Sequence, residues 1–142
     1  MKILNKKDIM KIKLNLFILL LIPSFTIAQY NFSSDYVELC AWQEASQTWS
    51  DDCEQAEVSN LFVVNEDETV MTLTNSEAKQ TLYIQGGDQY EEDSLVGWDV
   101  MSDEGEELFV IFDFENRLIK ILDLKSEESR WQMAVFNIKA NW

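Results

Sequence analysis

Short apolar runs alternate with polar turns along most of the chain. "YVELCAW" (36–42) comes first, and after a cysteine-containing loop follow "VSNLFVV" (58–64), "TVMTLT" (69–74), "QTLYIQ" (80–85) and "LVGWDVM" (95–101). "ELFVIFDF" (107–114), "RLIKILDL" (117–124) and "RWQMAVFNI" (130–138) complete the series. Each run is rich in β-branched and aromatic residues, the composition of a strand. Turn residues separate them: Asn65-Glu66-Asp67, Asn75-Ser76-Glu77, Asp103-Glu104-Gly105 and Glu115-Asn116. The spacing predicts an all-β fold, an antiparallel meander of about eight short strands forming a small barrel or a curled sandwich. Helical spacing of Val37, Cys40, Ala41 and Glu44 makes a helix the competitor over 36–48, where a strand is the expectation kept.

The alternation also assigns faces. Leu108, Val110, Phe112 and Phe114 share one side of their run, with Phe109, Ile111 and Asp113 on the other. In 118–124, Leu118, Leu122 and Leu124 alternate with Ile119, Ile121 and Asp123. Both sides are mostly apolar, which predicts strands covered on two faces or central in a curled sheet. In 69–74, Met71 and Leu73 point one way, while Val70, Thr72 and Thr74 suit a wetter face.

The first 28 residues have a different character. Five lysines precede the apolar run "LNLFILLLI" (14–22), and Pro23, Ser24 and "TIA" (26–28) lead to Gln29. A basic start, a short apolar stretch and small residues before a cut are the parts of a secretory signal. The run is shorter than the roughly 20 residues that a membrane-spanning helix needs. The expected organisation is therefore a signal peptide over 1–28 and a single β domain over 29–142, exported to the periplasm or beyond the cell.

Charge narrows the partners. The full chain has 11 Lys and Arg against 26 Asp and Glu, a net of −15. The leader holds five of those lysines and Asp8, so the remainder has 6 basic and 25 acidic groups, a net of −19. Such a surface repels phosphate backbones and anionic lipid, which argues against nucleic acid and membrane insertion after signal removal. A protein or a cell-envelope component is the expected partner, engaged by turns at one end of the meander. Cys40 and Cys53 in an exported chain predict one disulfide.

The order of "TWSDD" (48–52), "FVVNED" (62–67), "TVMTLTN" (69–75), "KQTLYI" (79–84) and "GWDVMSDEGEELFVIFDFENRLIKI" (97–121) resembles small exported proteins of Bacteroidetes-type bacteria with no assigned activity. The resemblance implies an all-β exported domain and supplies no functional residue. A second likeness is local. The periplasmic β-barrel inhibitors of C-type lysozyme carry a Ser-Gly-x-x-Tyr loop, and Gly86-Gly87-Asp88-Gln89-Tyr90 is similar to it, with Gly86 in place of the serine. That likeness implies an inhibitor of a cationic hydrolase, which an anionic chain would meet quickly.

Three kinds of chemistry remain to be weighed. Asp88, Glu91, Glu92 and Asp93 could offer oxygens to calcium, though no stretch meets the EF-hand pattern and acidic residues commonly just occupy turns. Trp49 and Tyr90 could form a sugar-stacking platform of a glycan-binding module, Trp49 and Trp142 being the tryptophans expected at the surface. Trp98 and Trp131 lie within strand runs and are expected to pack. The loop residues Gly86, Gly87, Asp88 and Tyr90, with Trp49, are thus the candidate ligand-binding set. Catalysis is not expected: the chain has no histidine, and no nucleophile, base and orienting group can be named together. The sequence reads as a non-enzymatic binding or interaction domain with no resident cofactor beyond the calcium alternative.

Overall fold

The computed structural model describes residues 29–85, 90–92, 94–124 and 127–142, with the side chains of 90–92 and 129 excepted. The proposed signal peptide lies outside these residues. Among them are thirteen antiparallel strands: β1 (Tyr30–Ser34), β2 (Val37–Gln43), β3 (Thr48–Trp49), β4 (Glu54–Ala56), β5 (Asn60–Val64), β6 (Val70–Thr74) and β7 (Lys79–Ile84). They continue as β8 (Tyr90–Glu92), β9 (Leu95–Ser102), β10 (Glu107–Asp113), β11 (Leu118–Asp123), β12 (Gln132–Asn137) and β13 (Ala140–Asn141), with a single 3-10 turn at Glu128–Arg130. The all-β expectation holds, and 36–48 forms strands rather than a helix.

The order across the sheet is β13-β1-β5-β6-β7-β9-β10-β11-β12-β2-β3, with β4 beside β2 and β8 beside β9. Of the two forms expected, the curled one is found; the ladder does not close as a barrel. The reason lies at Asp35-Tyr36, where the first strand breaks into β1 and β2. Phe32 stands opposite Asn141 and Val37 opposite Phe136, so one register runs through β1 with β13 and β2 with β12. The pairs β13–β1 and β12–β2, near opposite ends of the open path, are thereby carried on adjacent stretches of chain, and the sheet curls around one interior.

Asn137 holds that break together. Its Oδ1 accepts from Ser34 Oγ at 2.9 Å and from the backbone N–H groups of Asp35 and Tyr36 at 3.1 and 3.0 Å. The two backbone N–H groups are donors that a broken ladder leaves unpaired, and one amide oxygen satisfies both.

The inward positions form one core. Phe32, Phe62, Val64, Met71, Leu82, Trp98, Val100, Val110, Phe112, Ile119, Phe136 and Ile138 belong to a single buried cluster. The two-sided apolarity of β10 and β11 has a physical basis. Val110, Phe112 and Ile119 face inward, while on the outer face Phe109, Leu122, Met133 and Cys40 stand in cross-strand register. Leu122 and Cys40 are buried there. In β6, Met71 is fully buried and Thr72 and Thr74 are half-buried, as the alternation requires.

Candidate functional site

A cavity of about 220 Å³ opens at one end of the curled sheet, lined by Tyr30, Phe32, Val64, Glu68, Val96, Trp98, Phe112 and Phe114. Its position follows from strand ends. β1 enters here through Tyr30, β5 leaves at Val64, β9 begins beside Val96, and β10 passes into its turn at Phe114. Inward-facing residues at such ends lack a further layer to cover them, so side chains that would be core elsewhere border open space.

The aromatic rings form one connected wall. Phe112 lies 5.1 Å from Phe32, 5.1 Å from Trp98 and 5.9 Å from Phe114, centroid to centroid. The Trp98 contact is edge-on at 64°, whereas Phe114 stacks on Phe112 at 19°. Offset and edge-on pairs at these separations are favourable beyond the area they bury. Phe32, Trp98 and Phe112 are buried and form the deep part, while Tyr30 and Phe114 are 50% and 45% exposed at the rim.

The β5–β6 turn supplies the carboxylate. Asn65 Oδ1 accepts from the backbone N–H groups of Thr69 and Val70 at 2.8 and 3.0 Å, and Glu68 N–H donates to the Asn65 carbonyl at 3.0 Å. Glu68 has φ of 53°, a left-handed conformation held by those bonds. The turn thus sets Glu68 half-buried against the aromatic wall. Only Tyr30 and Glu68 of the lining residues can ionise, and none is basic.

Two broader depressions lie elsewhere on β1 and its surroundings. One, of about 480 Å³, is bordered by Asp35, Tyr36, Glu57 and Ser59. The other, of about 360 Å³, runs from Ser33 and Ser34 to Asn75 and Lys139. The first has a mostly polar wall, and neither is walled by a connected set of aromatic rings. The smaller aromatic cavity is the better site because apolar enclosure is what drives small-molecule binding.

The residues singled out from sequence are distributed differently. Cys40 and Cys53 form the expected disulfide, with Cα atoms 4.6 Å apart. A disulfide belongs to a chain that matures in an oxidising compartment. Glu38 brings a carboxylate within 4.8 Å of both sulfurs. With the sulfurs bonded to each other, the group lacks the thiolates a metal would take. Gly86, Gly87, Asp88 and Asp93 lie outside the described residues, and with them the loop motif and half of the calcium set. Tyr90, Glu91 and Glu92 are a strand rather than loop: they pair with Gly97, Val96 and Leu95.

Trp49 is not placed with Tyr90. β9, β10, β11, β12 and β2 separate their strands in the sheet. Trp49 is half-buried and meets Trp42 edge-on at 5.3 Å, and Trp42 in turn meets Trp131 at 5.5 Å. The Trp42 indole N–H donates to Glu128 Oε1 at 2.9 Å. This cluster covers the outer face near the disulfide and corrects the expectation of an exposed Trp49. Trp142 is exposed at 66%, as expected, and Trp98 is buried.

Tyr30, Phe32, Val64, Glu68 and Val96 were not candidates on sequence grounds. Phe114 had the nearest thing to a signal, since it continues the inward alternation of β10 past the strand's end. No helix among the described residues is long and apolar enough to cross a membrane. No protein-family model, curated protein or solved structure matches the chain.

Proposed function

We propose that this chain is an exported, non-enzymatic binding domain whose ligand is a small, ring-sized apolar molecule held in the cavity at the end of the curled sheet. The observation that carries the reading is the connected aromatic wall around about 220 Å³ of open space. For comparison, an apolar cavity of about 150 Å³ accommodates benzene. Small curled or closed β-sheets place single-ligand sites at their mouths for the geometric reason given above. Among the lining residues there is no nucleophile with a base, which supports binding rather than turnover. The exported setting makes the ligand a constituent of the cell envelope or of its surroundings.

A ligand of this size yields about 4 to 8 kcal/mol, a dissociation constant between millimolar and micromolar. Thermal unfolding of the oxidised protein with cyclohexanone is the test. Saturation to about 100 times the dissociation constant stabilises by about 2.7 kcal/mol, a rise of several degrees in Tm. Phe114→Ala, at the exposed rim, should fold and show a smaller rise. No rise for the unsubstituted protein at any soluble concentration would contradict the reading.

A further inference from the structure

The cavity lining has a single electrostatic sense. Five of its eight residues are aromatic, Tyr30, Phe32, Trp98, Phe112 and Phe114, and the faces of such rings are the negative side of their quadrupoles. Glu68 is the one lining residue charged at neutral pH, and its charge is negative. The Asn65 turn fixes the Glu68 backbone, whereas no hydrogen bond or ion pair to a described residue holds its carboxylate. No lysine or arginine lines the space, in a chain with 11 basic groups against 26 acidic ones.

We propose that the molecule held in the cavity is a cation, an apolar ring that carries one positively charged nitrogen as an alkylammonium. The inference rests on the binding reading above and specifies the charge of its ligand. The ring fills the deep space beside Phe32, Trp98 and Phe112, which are buried. The nitrogen stays at the mouth, where Tyr30 and Phe114 are exposed and Glu68 is half-buried. That position matters, because a charge taken wholly into the apolar interior loses more in hydration than one carboxylate returns. At the mouth it keeps part of its water and is still attracted by aromatic faces and by a carboxylate. An uncharged ring gains the burial alone. A carboxylate ligand meets the rings and Glu68 as like charges and finds no basic partner in the lining. The excess of acidic groups over the whole chain draws cations toward the mouth as well.

Cyclohexylammonium and cyclohexanol share a ring and differ in a charged against a neutral head group of similar size. Titrated at pH 7 into the oxidised protein and followed by ¹H–¹⁵N correlation spectra, both should perturb the amides of Phe32, Val96 and Phe114. The ammonium should bind about tenfold more tightly, a difference of about 1.4 kcal/mol. Glu68→Gln should remove most of that advantage, and glutamine already adopts the same left-handed backbone at Gln47, with φ of 53°. Glu66→Gln removes an equal charge from an exposed position in the same turn, outside the lining, and should leave most of the advantage in place. Equal affinities, or tighter binding of cyclohexanol, overturn the cation inference and leave the cavity reading standing. So does an advantage that Glu68→Gln leaves intact, or that Glu66→Gln abolishes as fully, since either reports diffuse attraction to the surface. Perturbation of the cavity amides by neither probe overturns the cavity reading itself.

Discussion

The ring of Phe109 lies over Gly97 on the outer face of the sheet, so close that a Cβ at Gly97 would stand 2.7 Å from Phe109 Cζ. The two residues sit on adjacent strands, Gly97 opposite Ile111 and Phe109 opposite Asp99. Glycine is used here for close approach rather than for its backbone freedom. The missing side chain lets an outward-facing phenylalanine fold down onto the sheet instead of standing in water.

Gly97→Ala should therefore destabilise by about 1–3 kcal/mol through overpacking. In the background of Phe109→Leu the same substitution should cost much less, because the obstructing ring is gone. Urea unfolding of the four members of this double-mutant cycle measures the coupling. Additive costs would mean that the ring moves aside freely.

Cys40 and Cys53 occupy the next rung of the ladder in which Val37 faces Ala56 and Leu39 faces Glu54. The bridge pins the start of β4 to β2, just after the 50–52 segment that links β3 to β4. Closing a loop across a separation of 13 residues is worth about 3 kcal/mol in the chain-entropy model. Reduction, or the Cys40→Ala/Cys53→Ala double variant, should lower stability by about that amount in denaturant titrations. A loss close to zero would show that β2 and β4 hold without the bridge.

Two aspartates should set an acid limit. Asn137 Nδ2 donates to Asp35 Oδ1 at 2.6 Å, and this bond, with Lys139 at 3.3 Å, holds the carboxyl below its ordinary pKa of 3.8. Asp113, nearly buried at the end of β10, is lowered too: it accepts from the Asn116 side chain at 2.9 Å and backbone N–H at 3.0 Å. A carboxyl with a depressed folded pKa contributes its stability above the unfolded value, and loses it as pH falls through the folded one. The Tm difference between the unsubstituted protein and Asp113→Asn should accordingly be constant above about pH 5 and shrink below about pH 4. A difference that persists at lower pH would mean that the charge on Asp113 is not what stabilises the turn.

Asn137→Ala should be the costliest of the polar substitutions. It removes the acceptor of the Asp35 and Tyr36 backbone N–H groups at the break between β1 and β2, while Ser34 Oγ keeps the Tyr36 carbonyl. Leaving part-buried donors unpaired costs about 1–3 kcal/mol each where water cannot replace the partner, so a total of about 2–4 kcal/mol is expected. Hydrogen exchange should show the Asp35 and Tyr36 amides losing protection first. An unchanged exchange pattern would mean that water substitutes for the amide.

Much of this architecture was legible in the residues themselves. The alternation in 107–114 and 118–124 identified two-sided strands, and the face shared by Leu108, Val110, Phe112 and Phe114 is the one that meets the core and the cavity. β1 was missed because "YNFSS" has a single large inward residue, Phe32, and no apolar run to announce it. β3 and β4 escaped because "TW" and "EQA" are too short and too polar to show a period, and register with β2 alone makes them strands. The cavity was not legible at all. It takes Phe32 from β1, Val64 from β5, Glu68 from a turn, Val96 and Trp98 from β9, and Phe112 from β10. Each of these residues reads as ordinary core or turn until the curl of the sheet brings them together. Trp98 illustrates the point: its assignment to packing was correct, and only the three-dimensional surroundings show that its N–H has no partner among the described residues.

The central claim is that the aromatic cavity is where this protein holds its ligand. The most direct measurement is of intermolecular nuclear Overhauser effects between cyclohexanone and the protein's aromatic and methyl protons at saturating probe. Contacts to Phe32, Val96, Phe112 and Phe114 are the expected result. Contacts confined to the Trp42, Trp49 and Trp131 cluster, or none at all, would contradict it.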